Sequence, residues 1–320
     1  MAGLSGAGRA EGGRVATAAP RRSVLPTAAR LGLLLLLMTC VGLATVSLWI
    51  PALIYRPTGL DRADPASWNI PQATLVAIPS THGGALSGWW APPGSPDAQV
   101  ILILHGRSAN ISTRSGIARR LIADGFGVLM FDYRGYGRSP GRPSERGLTE
   151  DAEAAYRWLI QQGVAPSRLV VLGQSLGDAP AAELGASRSI GALVLVSPFT
   201  SLPGAAQDAA PWLPVGIVPW TRNRFDVGSS VARLHAPLLL VVSSSDGLVP
   251  LRNSRRLAAL VPGFHWLEAE GLHHDGLLAG VTIDGRLSKA IKALADRRID
   301  PPADASTKPG SAPRARVRAG

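Results

Sequence analysis

The chain has 320 residues, 46% of them hydrophobic and 17% charged, with one cysteine, Cys40, and a formal net charge of +11. This length and apolar content suit one large α/β domain or two small ones and exclude disorder throughout, while a lone cysteine excludes an intrachain disulfide framework and a multi-cysteine zinc site. Nucleic acid is not the expected partner, because much of the charge lies at the ends (Arg9, Arg14, Arg21, Arg22 and Arg30; Lys308, Arg314, Arg316 and Arg318) and no basic run is interleaved with aromatics.

After a basic, disordered N-terminus over 1–30, the first predicted element is apolar. LGLLLLLMTCVGLATVSLWI, Leu31 to Ile50, has no charge and the length to cross a bilayer as a helix, predicting a transmembrane anchor over 31–54. The alternative is a cleaved or lipidated leader: Gly42 to Ser47 offers a poor small-x-small site, PRRSVLP faintly resembles a twin-arginine signal, and LMTC is a flawed lipoprotein box. Arg21, Arg22 and Arg30 precede the span, whereas Arg56 and Arg62 are offset by Asp61 and Asp64. The positive-inside rule therefore keeps the N-terminus cytoplasmic and exports the remainder.

From about 70 to 298 apolar runs alternate with amphipathic stretches. TLVAI and LSGWW suggest an opening antiparallel pair. VILIL, GVLMF, RLVVL, ALVLV, PLLLVV and HWLEA follow, separated by helical patterns such as LTEDAEAAYRWLIQQ. Short buried runs of this kind predict βα units and a doubly wound, mostly parallel sheet with helices on both faces. The last segment, 299–320, is rich in Pro, Ala and Arg and is expected to be disordered.

Ligands of such sheets bind at the carboxyl ends of the strands, so chemistry is sought there. Those ends carry His105-Gly106-Arg107, Asp132, Ser175 in GQSLG, Asp246 in SSSDGLVP, and His273-His274 in LHHD. A serine hydroxyl is a weak nucleophile until an imidazole takes its proton, and a carboxylate must orient that imidazole; Ser, then Asp, then His is the chain order that supplies all three. In a strand–turn–helix setting Ser175 projects above the sheet and the N–H of Leu176 points at the developing oxyanion. His82, His105 and His235 fall outside the order and His265 lies within a strand, leaving His273 and His274. His273 is preferred as the earlier of the pair. His-His-Asp lacks further ligands at metal spacing, and neither a metal nor another cofactor is expected.

HGRSANI and FDYRGYGRSPGRPSERGLTEDAEAAYRWL, with SPFTSL, SSSDGLVP and LHHD, resemble the membrane-associated α/β-hydrolase-domain branch of the α/β-hydrolase superfamily, which includes lysophospholipases, monoacylglycerol lipases and acyl-protein thioesterases. The resemblance spans roughly Thr74 to Leu294. It implies the α/β-hydrolase fold, with Ser175 as nucleophile, Asp246 as acid, His273 as base and the backbone N–H groups of Arg107 and Leu176 as oxyanion hole. It also implies that DYRGYG is scaffold, with Arg134 tying loops together. Three residues depart from the pattern: Arg107 replaces an Asn, Asp178 a small residue, and Pro180 removes a donor early in a helix. Asp178 is expected to carry a negative charge near the oxyanion and so to oppose catalysis.

An insertion between the sixth and seventh strands, about 199–228, is the expected cap, with Trp212, Leu213, Ile217 and Trp220 as candidate substrate contacts in an apolar, proline-broken cluster. The expected function is a membrane-tethered serine hydrolase of acyl esters or thioesters. The alternatives are a peptidase or small-ester esterase with the same triad, and an inactive membrane-anchored binding module.

Overall fold

The computed structural model describes residues 26–59, 64–81, 84–209, 211–212, 223–261 and 263–296. Two compact units are distinguished, Met1–Thr45 and Val46–Gly320. In the first, helix α1 (Thr27–Ile54) begins, and over Thr27–Thr45 it is long and apolar enough to cross a membrane, with no side chain buried. The C-terminal turns of α1 belong to the second unit, where Ile54 and Tyr55 are buried in the core.

The second unit is built on an eight-stranded sheet. Its strands are β2 (Thr74–Pro79), β3 (Ala85–Ala91), β4 (Val100–Leu104), β6 (Gly127–Phe131), β7 (Leu169–Gln174), β8 (Ala192–Val196), β9 (Leu238–Val242) and β10 (His265–Glu268). Their order is β10-β9-β8-β7-β4-β6-β3-β2. β2 pairs antiparallel with β3, and β3 with β6; every other pair is parallel. A separate two-residue parallel sheet joins β1 (Arg56–Pro57) to β5 (Ser108–Ala109).

Every residue of β4, β6, β7, β8 and β9 is buried, which is what continuous Val/Leu/Ile runs without alternation require: both faces must be covered. One face carries α3 (Glu145–Gln161), α4 (Asp178–Ser187), α6 (Val227–Val231) and α7 (Leu251–Ala258). The other carries α2 (Ser115–Ala123), α8 (Leu277–Ile283) and α9 (Arg286–Asp296). α3 shows how sequence sets this locally. Ser144 caps it by accepting the Gly147 N–H at 3.0 Å, Glu145 faces the positive end of the dipole, and Leu148, Ala152, Ala155 and Leu159 recur at helical spacing as its buried stripe. Of the expected cap, α5 (Leu202–Ala209) is described, whereas most of 210–222 lies outside the described residues.

Candidate active site

Ser175 follows the last residue of β7 and opens a short 3-10 turn, Ser175–Gly177, that runs into α4. Its φ is +53°, a left-handed conformation that costs a non-glycine residue energy and turns the side chain sharply out of the strand. The flanking glycines make this turn possible by their lack of a side chain. A Cβ on Gly173 would lie 2.7 Å from the Asp178 Cα, and one on Gly177 would overlap the carbonyl oxygens of Leu104 and His105. Strand, elbow and helix therefore pack backbone against backbone.

Opposite the elbow, the loop after β9 supplies Asp246 and the turn after β10 supplies His274. His274 Nδ1 is 2.8 Å from Asp246 Oδ2, and His274 Nε2 is 3.0 Å from Ser175 Oγ. Asp246 Oδ1 also accepts the backbone N–H groups of Leu248 (2.9 Å) and Val249 (2.8 Å). Burial alone would raise the pKa of Asp246, but the bond from His274 and the Val249 N–H outweigh it and hold the carboxyl below its ordinary range. An ionised carboxylate only accepts, so the imidazole proton sits on Nδ1 and the Nε2 lone pair faces the serine hydroxyl.

This corrects the expected base. His273 is exposed, and its Nδ1 donates to the Ser245 carbonyl at 3.1 Å, away from Ser175. Extended backbone at His273 (φ −77°, ψ 165°) gives way to a 3-10 turn starting at His274, so the neighbouring imidazoles point in different directions and only the second reaches the serine.

The His105–Arg107 loop borders the same elbow: a Cβ on Gly106 would lie 3.7 Å from the Ser175 Cβ and 3.2 Å from the Gln174 carbonyl oxygen. His105 is buried, with Nδ1 donating to the Gly106 carbonyl at 2.8 Å. Burial first, and then the charge of Arg114, lower its pKa to about 3, so it is a neutral ring at physiological pH. Arg114 donates from Nε and Nη2 to Gln174 Oε1 at 3.3 and 3.1 Å and so steadies the residue before the serine. No residue pattern in the sequence marked that contact.

Asp178 differs from expectation too. It is wholly buried, and Oδ1 accepts the Val196 N–H at 3.2 Å. Burial raises its pKa well above the usual range against the lowering effect of the Val196 and Ser175 N–H groups, which favours the uncharged acid. Through the Val196 N–H it ties the elbow to the end of β8, and its burial opposes the negative charge expected there. Pro180 falls in the first turn of α4, where backbone N–H groups have no partner within the helix and a missing donor costs little. Of the expected substrate contacts, Trp212 is 83% exposed, whereas Leu213, Ile217 and Trp220 lie outside the described residues.

Asp132, at the end of β6, is a second buried acid. Burial pushes its pKa up to about 7, against N–H bonds from Ile111 (2.8 Å) and Arg138 and the charge of Arg114. A carboxyl that holds its proton more tightly folded than unfolded stabilises the fold below its unfolded pKa, and the contribution is lost as pH rises through 7. Urea-melt stability is thus expected to fall between pH 5 and 8.5, with Asp132→Asn removing up to about 3 kcal/mol of that fall. Equal slopes for wild type and variant would contradict this account.

Comparison with known proteins accords with this geometry. The Hydrolase_4 family model, described as serine aminopeptidase, S33, matches residues 95–226, which include Ser175 and end before Asp246 and His274. The chain is 40% identical over 209 residues to an uncharacterised protein of Mycobacterium tuberculosis, covering 65% of this chain and 73% of that one. It is 32% identical over 190 residues to the lysophosphatidylserine lipase ABHD12 of Danio rerio, covering 53% of this chain and 49% of the lipase. Among solved structures it resembles an alpha-beta hydrolase from Vibrio vulnificus with a TM-score of 0.59 and 25% identity, over 71% of this chain and 82% of that one.

Proposed function

We propose, for a chain that belongs to the α/β-hydrolase superfamily and is a serine hydrolase, that Ser175, His274 and Asp246 form the catalytic triad for cleaving acyl esters or thioesters. The observation that carries this reading is the His274 ring, with one nitrogen on Asp246 and the other on Ser175. In the reaction, Ser175 Oγ attacks the acyl carbonyl as His274 Nε2 takes its proton. The N–H groups of Arg107 and Leu176 receive the oxyanion, and the imidazolium returns the proton to the departing alkoxide or thiolate, leaving an acyl-serine. Water, activated by the same nitrogen, releases the acid. Asp246 orients the ring and offsets its transient charge.

The apolar helix supports a membrane tether with the N-terminus cytoplasmic and the catalytic unit exported, which raises the effective concentration of lipid-like substrates. Similarity to the lysophosphatidylserine lipase of Danio rerio favours an acyl lipid. A peptidase is the second reading, favoured by the description of the family model.

Fluorophosphonate labelling of the full-length protein tests the chemistry: wild type is expected to label and Ser175→Ala not to. Failure of the wild type to label leaves the inactive binding module. On a panel running from p-nitrophenyl acetate to octanoate, kcat/KM is expected to rise with acyl length. Higher kcat/KM on aminoacyl anilides than on any ester would overturn the acyl reading in favour of a peptidase.

A further inference from the structure

The segment that leaves α1 does not simply connect it to the catalytic unit. Within the second unit, Arg56 and Pro57 pair with Ser108 and Ala109. The Arg56 N–H donates to the Arg107 carbonyl at 2.9 Å, and the Arg107 guanidinium donates from Nη1 to the Leu53 carbonyl at 3.1 Å, in the last turn of the helix. The Thr58 N–H reaches the Ala109 carbonyl at 3.3 Å, and the Thr58 carbonyl accepts the Gly137 N–H at 3.0 Å. Asn110 Nδ2 donates to Thr58 Oγ1 at 3.0 Å and to the Gly59 carbonyl at 2.8 Å. Tyr55 is buried, with its hydroxyl 2.9 Å from Asn223 Oδ1 and its ring edge-on to Phe225. The partner of this segment is thus the loop that borders Ser175.

The effect concentrates on one residue. Both peptide planes flanking the Arg107 Cα are held. The plane before it, which contains the Arg107 N–H, is fixed through the Gly106 carbonyl by His105 Nδ1. The plane after it is fixed through the Arg107 carbonyl by the Arg56 N–H and by the Tyr136 hydroxyl at 2.8 Å. Residues 53–59 precede the stretch matched by the family model, 95–226, so this support reaches the loop from the anchor side of the chain.

We propose that residues Leu53–Gly59 act as a positioning element for the oxyanion loop, holding the Arg107 N–H where the tetrahedral intermediate needs it. This rests on reading that N–H as an oxyanion donor. The consequence is that the chain leaving the apolar helix sets turnover and not substrate affinity, since an oxyanion donor acts on the transition state and not on the ground-state ester.

Two variants of the full-length protein attack the seam from opposite sides. Arg56→Pro deletes the amide that holds the Arg107 carbonyl, on a residue whose side chain is exposed. Asn110→Asp keeps the oxygen that accepts the Ser112 N–H at 3.0 Å but loses both donated bonds to Thr58 and Gly59. With p-nitrophenyl butyrate each is expected to lower kcat about tenfold, short of the roughly 10²–10³ lost with a whole oxyanion donor, while KM stays within about twofold, an estimate that follows from ground-state binding being untouched. Affinity for an aryl trifluoromethyl ketone, whose serine adduct carries the same oxyanion, is expected to fall by the same factor as kcat/KM. The double variant is expected to lose less than the product of the single losses, because both act through one seam. An unchanged kcat in either folded variant, a loss confined to KM, or a fully multiplicative double variant would overturn the proposal. If neither variant folds, the seam serves stability and the proposal is likewise overturned. Wild-type labelling by fluorophosphonate is unaffected by these outcomes and tests the triad separately.

Discussion

Ser175→Ala and His274→Ala are each expected to lower kcat by roughly 10⁴–10⁶, and the double variant to be hardly worse than either, because a nucleophile without its base and a base without its nucleophile are equally idle. Asp246→Ala is expected to cost somewhat less, since imidazole retains some basicity without its orienting acid. His273→Ala is the discriminating member of the series. Its ring is held by a backbone carbonyl away from the serine, so turnover is expected to stay within about threefold of wild type, a range that surface substitutions rarely exceed. Saturating p-nitrophenyl butyrate kinetics with circular dichroism as a folding check decides the matter. An active His274→Ala protein would sink the assignment of the base.

The second large effect is on stability. Arg134 binds Asp151 through Nε at 3.0 Å and Nη2 at 2.7 Å, and donates its backbone N–H to Asp151 Oδ2 at 2.8 Å; Glu150 lies 3.1 Å from Nη1. Asp151 is fully buried and the Arg134 side chain only 11% exposed. Asp151→Ala removes the buried partner of the guanidinium and of the Arg134 N–H, leaving only Glu150, which is expected to cost about 3 kcal/mol, the low end for breaking a buried pair. The urea midpoint is expected to drop accordingly with an unchanged slope. A loss below about 1 kcal/mol, the scale of an exposed ion pair, would show that the DYRGYG loop is not held to α3 through this contact.

Much of this was legible in the sequence because the signals were redundant. Val100 to Leu104 and Ala192 to Val196 are short and apolar throughout, as strands covered on both faces must be, and Ser175 sits between two glycines where strand must turn into helix. Which histidine reaches Ser175 was not legible, because His273 and His274 fit the same chain order and differ only in which side of an extended-to-3-10 transition they occupy. Asp178 misled for a different reason: an Asp reads as a negative charge until its environment is known, and burial favours the neutral acid. The pairing of Arg56–Pro57 with Ser108–Ala109 had no signature, since two-residue strands have no periodicity and their bonds are made by backbone groups common to all residues.

The order of the site residues along the chain also bears on biosynthesis. His274 follows Ser175 by 99 positions, which at ordinary elongation rates is roughly 5–20 s of translation. Throughout that interval a nascent chain carries Ser175 without His274, and β9 and β10 are added only in its later part. On the proposed triad, hydrolytic power is therefore expected to arrive in one late step, when the final strands close the sheet and bring His274 to Ser175.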